Sequence, residues 1–219
     1  RDPLLRPVAQ GFDESLMMEG GLYLPVDSPD VANARNEFAV LDKVQWEIMS
    51  YAVSFNNSDR FEPDTYLTDY FTDEAVKAIA ANKDQPFFLY YATWLVHSPW
   101  QTRSEALLNK YVEKLGVELT EETRTSWKIE GQRNPFYCAM VEMLDSYIGK
   151  LISYLETTED PRWPGHMLME NTYVILTSDN GGMEGSPSEI ATDNYPLDKG
   201  KISILSLIHI SEPTRQASI

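Results

Sequence analysis

The chain has 219 residues, 42% of them hydrophobic, enough for one large domain or two small ones with a sizeable core. Its 18 Lys+Arg stand against 34 Asp+Glu, a formal charge of −16, which argues against a nucleic-acid partner because phosphate binding needs a basic face. Any anionic substrate would need a local cation or metal against that field, the single Cys138 rules out an intrachain disulfide, and no apolar run reaches the length of a membrane span.

The first residues, Arg1-Asp-Pro-Leu-Leu, lack the apolar core of a signal peptide and no Met precedes them, so residue 1 reads as an internal position. Residues 1–65 carry Gly11, Gly20, Gly21, Pro25 and Pro29 without a sustained period and read as a long surface excursion with a few short strands. A helix is predicted at about 68–82, capped by Thr68 or Thr72, with Asp69, Asp73 and Glu74 at its positive end and Phe71, Ala75, Ala78 and Ile79 on one face. Pro86 to Val96 is nearly all apolar or aromatic and reads as a buried strand. It ends in His97-Ser-Pro99. A histidine there can give a hydrogen bond or a proton to a leaving group, or it can simply pack under a loop against a carbonyl.

Residues 103–116 read as an amphipathic helix, with Ser104 as cap, Leu107, Leu108, Tyr111 and Leu115 as its buried side, and Gly116 closing it. The polar stretch from Glu118 to Arg133 is expected to add a short surface helix. At 135–156 Asn134 caps, Pro135 opens, and Phe136, Met140, Leu144, Ile148, Leu151 and Leu155 form a stripe. Cys138 lies within this helix with no cation beside it in sequence to activate a thiolate, so it reads as inert.

After a loop with Pro161, Pro164 and Gly165 comes the run Thr172 to Ser178, whose composition suits a strand buried on both faces. Helix, turn and strand thus recur as crossover units of an α/β sheet. The second run stops at Asp179-Asn180-Gly181-Gly182. Asp179 and Asn180 offer the hard oxygens that Ca²⁺ or Mg²⁺ prefers, at the strand end where α/β sheets bind ligands. The glycines permit positive φ and a close backbone pass. The other reading is an ordinary Asn-Gly hairpin turn. Lys199 and Lys201 follow near enough to fold back over a metal site, Lys201 as a point charge for an oxyanion; as an alternative both are surface lysines. Residues 205–219 resemble a translated sequencing adapter and are set aside as a non-native tail, His209 with them.

In order along the chain stand Gly11-Phe-Asp-Glu14, the Pro86 run with His97-Ser-Pro99, Ala139-Met-Val-Glu-Met-Leu-Asp145 with Ile148-Gly149, Thr177-Ser-Asp-Asn-Gly-Gly182, Asn194-Tyr-Pro-Leu and Gly200-Lys201. Together they resemble the formylglycine-dependent sulfatases of the arylsulfatase type, over about residues 11–203. The resemblance implies an alkaline-phosphatase-like α/β fold, a mostly parallel mixed sheet between helical layers, here incomplete. Residues 1–204 would be the central part of a sulfatase catalytic domain, truncated at both ends. It implies Asp179 and Asn180 as ligands of one Ca²⁺, His97 as the histidine that binds substrate and assists the departing alcohol, and Lys201 as a sulfate-binding lysine. The expected reaction is hydrolysis of sulfate esters, of small molecules or of sulfated carbohydrates. A phosphoryl or phosphonate monoester hydrolase of the same superfamily and a non-catalytic glycan binder are the alternatives. The family nucleophile, a Cys or Ser in Cys/Ser-x-Pro-x-Arg converted to formylglycine by a maturation enzyme, is expected upstream. Without it, this piece is expected to be inactive alone. The family also implies a periplasmic or extracellular setting.

Overall fold

The computed structural model describes residues 7–16, 66–97, 100–120, 133–183, 192–196 and 200–201. Among these residues the packing is carried by α1 (Leu67–Asn82), α2 (Glu105–Leu115) and α3 (Pro135–Thr157), with short 3-10 turns at Pro7–Gln10 and Leu168–Asn171. The expected short helix in 118–133 falls mostly on 121–132, and the expected strands of the N-terminal excursion on 17–65; both lie outside the described residues, as does the 205–219 tail.

Two helix starts follow from their caps. The Ser104 hydroxyl accepts from the Leu107 N–H at 3.3 Å, and the Asn134 carboxamide oxygen accepts from the Tyr137 N–H at 3.1 Å, with Pro135 in the first turn of α3. Gly116 ends α2 in the left-handed region at φ 59°, its N–H returning to the Glu113 carbonyl. The start of α1 differs from expectation. Neither Thr68 nor Thr72 caps it; Tyr66 stands at that position without a side-chain cap. Tyr66 is drawn into the core, 3% exposed, and its hydroxyl donates to the Gln101 carbonyl at 2.9 Å. Tertiary burial therefore sets where this helix begins. Thr72 lies buried inside it, donating to the Thr68 carbonyl at 2.7 Å and meeting the Tyr91 hydroxyl at 2.8 Å.

The hub is α3, against which α1, α2 and the Leu168–Asn171 turn all pack. Its buried stripe is Phe136, Met140, Met143 and Tyr147, joined by Tyr66, Leu95, Trp100 and Leu108 in one cluster. Leu144 only flanks that cluster, so the buried face is turned slightly from the predicted one. The reason is tertiary: α2 and the Trp100 segment cover the Met143 side. A second cluster, Ile79, Leu155 and Leu168, closes the other end of α3. Arg103–Asp69, Lys110–Glu142 and Lys150–Asp73 ion pairs lie over these joints. Exposed as they are, they fix orientation more than stability.

The expected buried strands are not found among the described residues. Residues 86–94 and 172–178 form no helix, and neither pairs with another strand among the described residues. Phe88 is 79% exposed, and Tyr173 is 99% exposed. An apolar strand is buried only by flanking strands and covering layers, and the described residues supply neither. The carboxyl ends behave differently. Leu95 is buried, and Val96 and Met183 both rest on the Tyr66–Tyr147 cluster. The two runs therefore converge where they end.

Candidate active site

His97 sits directly past that buried end. Its N–H donates to the Trp94 carbonyl at 2.7 Å, turning the chain, and its ring stands edge-on to Trp94 with centroids 5.7 Å apart. The imidazole is exposed, as a group that must meet a ligand requires.

At the other run's end the chain bends through Asp179 and Asn180, and the Ser178 hydroxyl donates to the Asn180 carbonyl at 2.5 Å. Gly182 then becomes a junction. Its N–H donates to the Asn194 carboxamide oxygen at 3.0 Å, and its carbonyl accepts from the Asn194 amide at 3.1 Å and from the Lys201 N–H at 3.0 Å. Met183 and Lys201 form a parallel bridge. An Asn180-Gly181 hairpin would pair the residues flanking that turn, but among the described residues no bridge crosses it and both Gly182 backbone groups are bonded elsewhere. The hairpin reading is therefore set aside. Of the expected glycine roles, close approach is the one found at position 182. A Cβ there would stand 2.2 Å from the Thr192 hydroxyl oxygen, and one on Gly200 would stand 1.8 Å from the Gly182 carbonyl oxygen. The close neighbour is the chain itself.

Anchored in this way, Lys201 reaches across to His97, with Nζ 2.7 Å from Nε2. An ammonium has donors only, so when Lys201 donates in this contact Nε2 is the acceptor. Lysine and histidine, far apart in sequence, thus meet beside the Asp179–Gly182 turn. Lys199 lies outside the described residues.

Among the described residues, no hydrogen bond engages the Asp179 carboxylate or the Asn180 carboxamide, and no three His, Cys, Asp or Glu side chains gather as a metal cluster. The donors fit a hard cation in kind. In number they fall short of the six to eight oxygens that Ca²⁺ takes. Cys138 is half-buried in α3, where burial pushes its thiol up more than Lys114 pulls it down, as suits an inert cysteine. Sequence reasoning gave no role to Asn194, which holds Gly182, or to Thr192, whose N–H and hydroxyl both donate to the Met183 carbonyl at 3.3 Å. The trace they left is slight, an Asx pair just before Tyr195-Pro196 in a polar loop.

A model of the family described as Sulfatase matches residues 8–213. The chain belongs to the Sulfatase family. Membership implies an α/β fold of the alkaline-phosphatase type. The chain is 26% identical to human N-acetylglucosamine-6-sulfatase over 175 residues, covering 70% of itself and 29% of that relative. It is 34% identical to a Formosa agariphila protein named Sulfatase over 137 residues, 60% of this chain and 21% of the relative. Mouse N-acetylgalactosamine-6-sulfatase matches at 24% over 204 residues, 91% of this chain and 32% of the relative. The chain spans less than a third of the length of these sulfatases. The letters Ser211-Glu-Pro-Thr-Arg215 do spell Ser-x-Pro-x-Arg. They lie outside the described residues and behind every other family stretch, and they receive no nucleophile role. Among the described residues no helix is long and apolar enough to cross a membrane.

Proposed function

We propose that the protein carrying this chain is a sulfuric ester hydrolase in which His97 and Lys201 bind the sulfate ester. The observation that carries the reading is the 2.7 Å contact between Lys201 Nζ and His97 Nε2, next to a turn bearing free oxygen donors, in a chain of the Sulfatase family. The Lys201 ammonium offers three donors and can hold a sulfate oxygen while still facing His97. A protonated His97, no longer accepting from Lys201, would contact the ester's bridging oxygen and deliver a proton to the alcohol as it leaves. Asp179 and Asn180 would be two of the oxygen ligands of a Ca²⁺, which when bound supplies charge neutralisation for the sulfate. The nucleophile would be a formylglycine made by a maturation enzyme from a Cys or Ser elsewhere in the protein. Sulfated carbohydrates are the proposed substrates, consistent with the names of the human and mouse relatives, in a periplasmic or extracellular setting.

The test is hydrolysis by the full-length protein, matured and supplied with Ca²⁺, of an activated aryl sulfate and of a sugar sulfate. His97→Ala should lower kcat on the sugar sulfate by about 10²–10⁴-fold, the usual worth of a positioned proton donor, and much less on the activated aryl ester. Asp179→Ala should weaken Ca²⁺ binding in calorimetry. Faster turnover of phosphate than of sulfate monoesters would transfer the assignment to phosphoryl transfer. Binding of sulfated glycans without any turnover would make the protein a lectin-like relative.

A further inference from the structure

We infer that Asn194 is a positioning residue that sets where Lys201 meets His97. Its carboxamide brackets both backbone groups of Gly182, accepting from the N–H at 3.0 Å and donating to the carbonyl at 3.1 Å. That is the pattern a neighbouring strand residue would present, supplied by a side chain. The carbonyl held by Asn194 is the same one that receives the Lys201 N–H at 3.0 Å. Asn194 Nδ2 also stands 2.4 Å from where a Cβ on Gly200 would lie, so carboxamide, Gly200 and Gly182 close into one tight seam.

The consequence concerns register. Alternate residues of an extended segment face opposite sides, so a one-residue slip of Lys201 against Met183 would turn its side chain away from His97. Among the described residues the Met183–Lys201 bridge has no neighbouring bridge to reinforce it against such a slip. Asn194 adds two bonds at the critical residue and clamps the turn that Lys201 reads. Only a carboxamide offers both a donor and an acceptor there: aspartate keeps the acceptor for the Gly182 N–H and loses the donor to its carbonyl. Asn194 touches no reacting atom in this arrangement; it acts through Lys201.

The inference rests on the functional reading for its importance but not for its test. In the ¹⁵N-labelled chain, Lys201→Ala should move the His97 Nε2 resonance, because it removes that nitrogen's partner. Asn194→Ala should move the same resonance in the same direction, and should speed exchange of the Gly182 and Lys201 amides about tenfold, the worth of roughly one hydrogen bond. Asn194→Asp should preserve Gly182 N–H protection while still shifting the His97 signal; it also serves if Asn194→Ala unfolds the helices. An unmoved His97 resonance in a folded Asn194 variant, with Lys201→Ala shifting it, would overturn the inference. So would an unmoved resonance in Lys201→Ala, since the contact itself would then be missing. Absence of sulfate ester hydrolysis in the full-length protein would sink the functional reading while leaving these signals, and hence the positioning role, intact.

Discussion

Asp160 is the most tightly held carboxylate in the loop after α3. Arg162 bonds it through Nε at 3.1 Å, through its second nitrogen at 3.2 Å and through its backbone N–H at 2.8 Å, while Asn171 donates at 3.1 Å. The Arg162 side chain, chiefly, holds the carboxyl down to about 2, against about 3.9 for a free aspartate. A depressed carboxyl contributes fully above its unfolded value and loses that contribution as the pH falls through its folded one. The loop should therefore loosen between about pH 4 and pH 2. Trp163 stacks on His166 at 3.6 Å in this loop, so its fluorescence should report the change, and Asp160→Asn should remove that acid step. At this scale the sequence was informative where a side chain stood at the end of an apolar run. His97, Asp179 and Asn180 drew attention for that reason, and Lys201 for its place behind a glycine; of these the structure brings Lys201 and His97 into contact. Asn194 and Asp160 were not legible, because a side chain that bonds a distant backbone or a near neighbour leaves no period to read.

At the scale of elements, the helices were legible, while the strands expected at 86–96 and 172–178 find no partner among the described residues. Caps act within four residues, so Ser104, Gly116, Asn134 and Pro135 mark their boundaries locally. Ser104→Ala should cost about 1 kcal/mol of stability, measured by urea unfolding followed at the helical circular-dichroism band. Phe136, 1% exposed at the centre of the main cluster, has a larger role. Phe136→Ala should cost about 3–5 kcal/mol, from lost burial plus the cavity left between α2 and α3. A cost below about 1 kcal/mol would mean that α3 is not the hub. The apolar runs promised burial, but burial of a strand is a property of its neighbours. Composition fixes what a strand wants on its faces and says nothing about whether those faces are covered.

For the molecule as a whole, two features pull against each other. A formal charge of −16 favours separation of chains. The 172–178 run opposes it, presenting Tyr173, Ile175 and Leu176 at 99%, 86% and 74% exposure with no strand partner among the described residues. Added salt screens the charge, so this chain should self-associate more in 0.5 M salt than at low ionic strength, as seen by light scattering. Ile175→Lys, which places a charge on the exposed edge, should suppress that association while leaving the helical signal unchanged.

The seam between Gly182 and Gly200 bears on how this protein can vary. A methyl group at position 200 would meet a carbonyl oxygen 1.8 Å away, and a peptide group, unlike a side-chain tip, has no rotamer into which to retreat. That spot is closed to evolutionary drift: however far relatives diverge around it, any descendant that keeps this crossing must keep hydrogen there in place of a side chain.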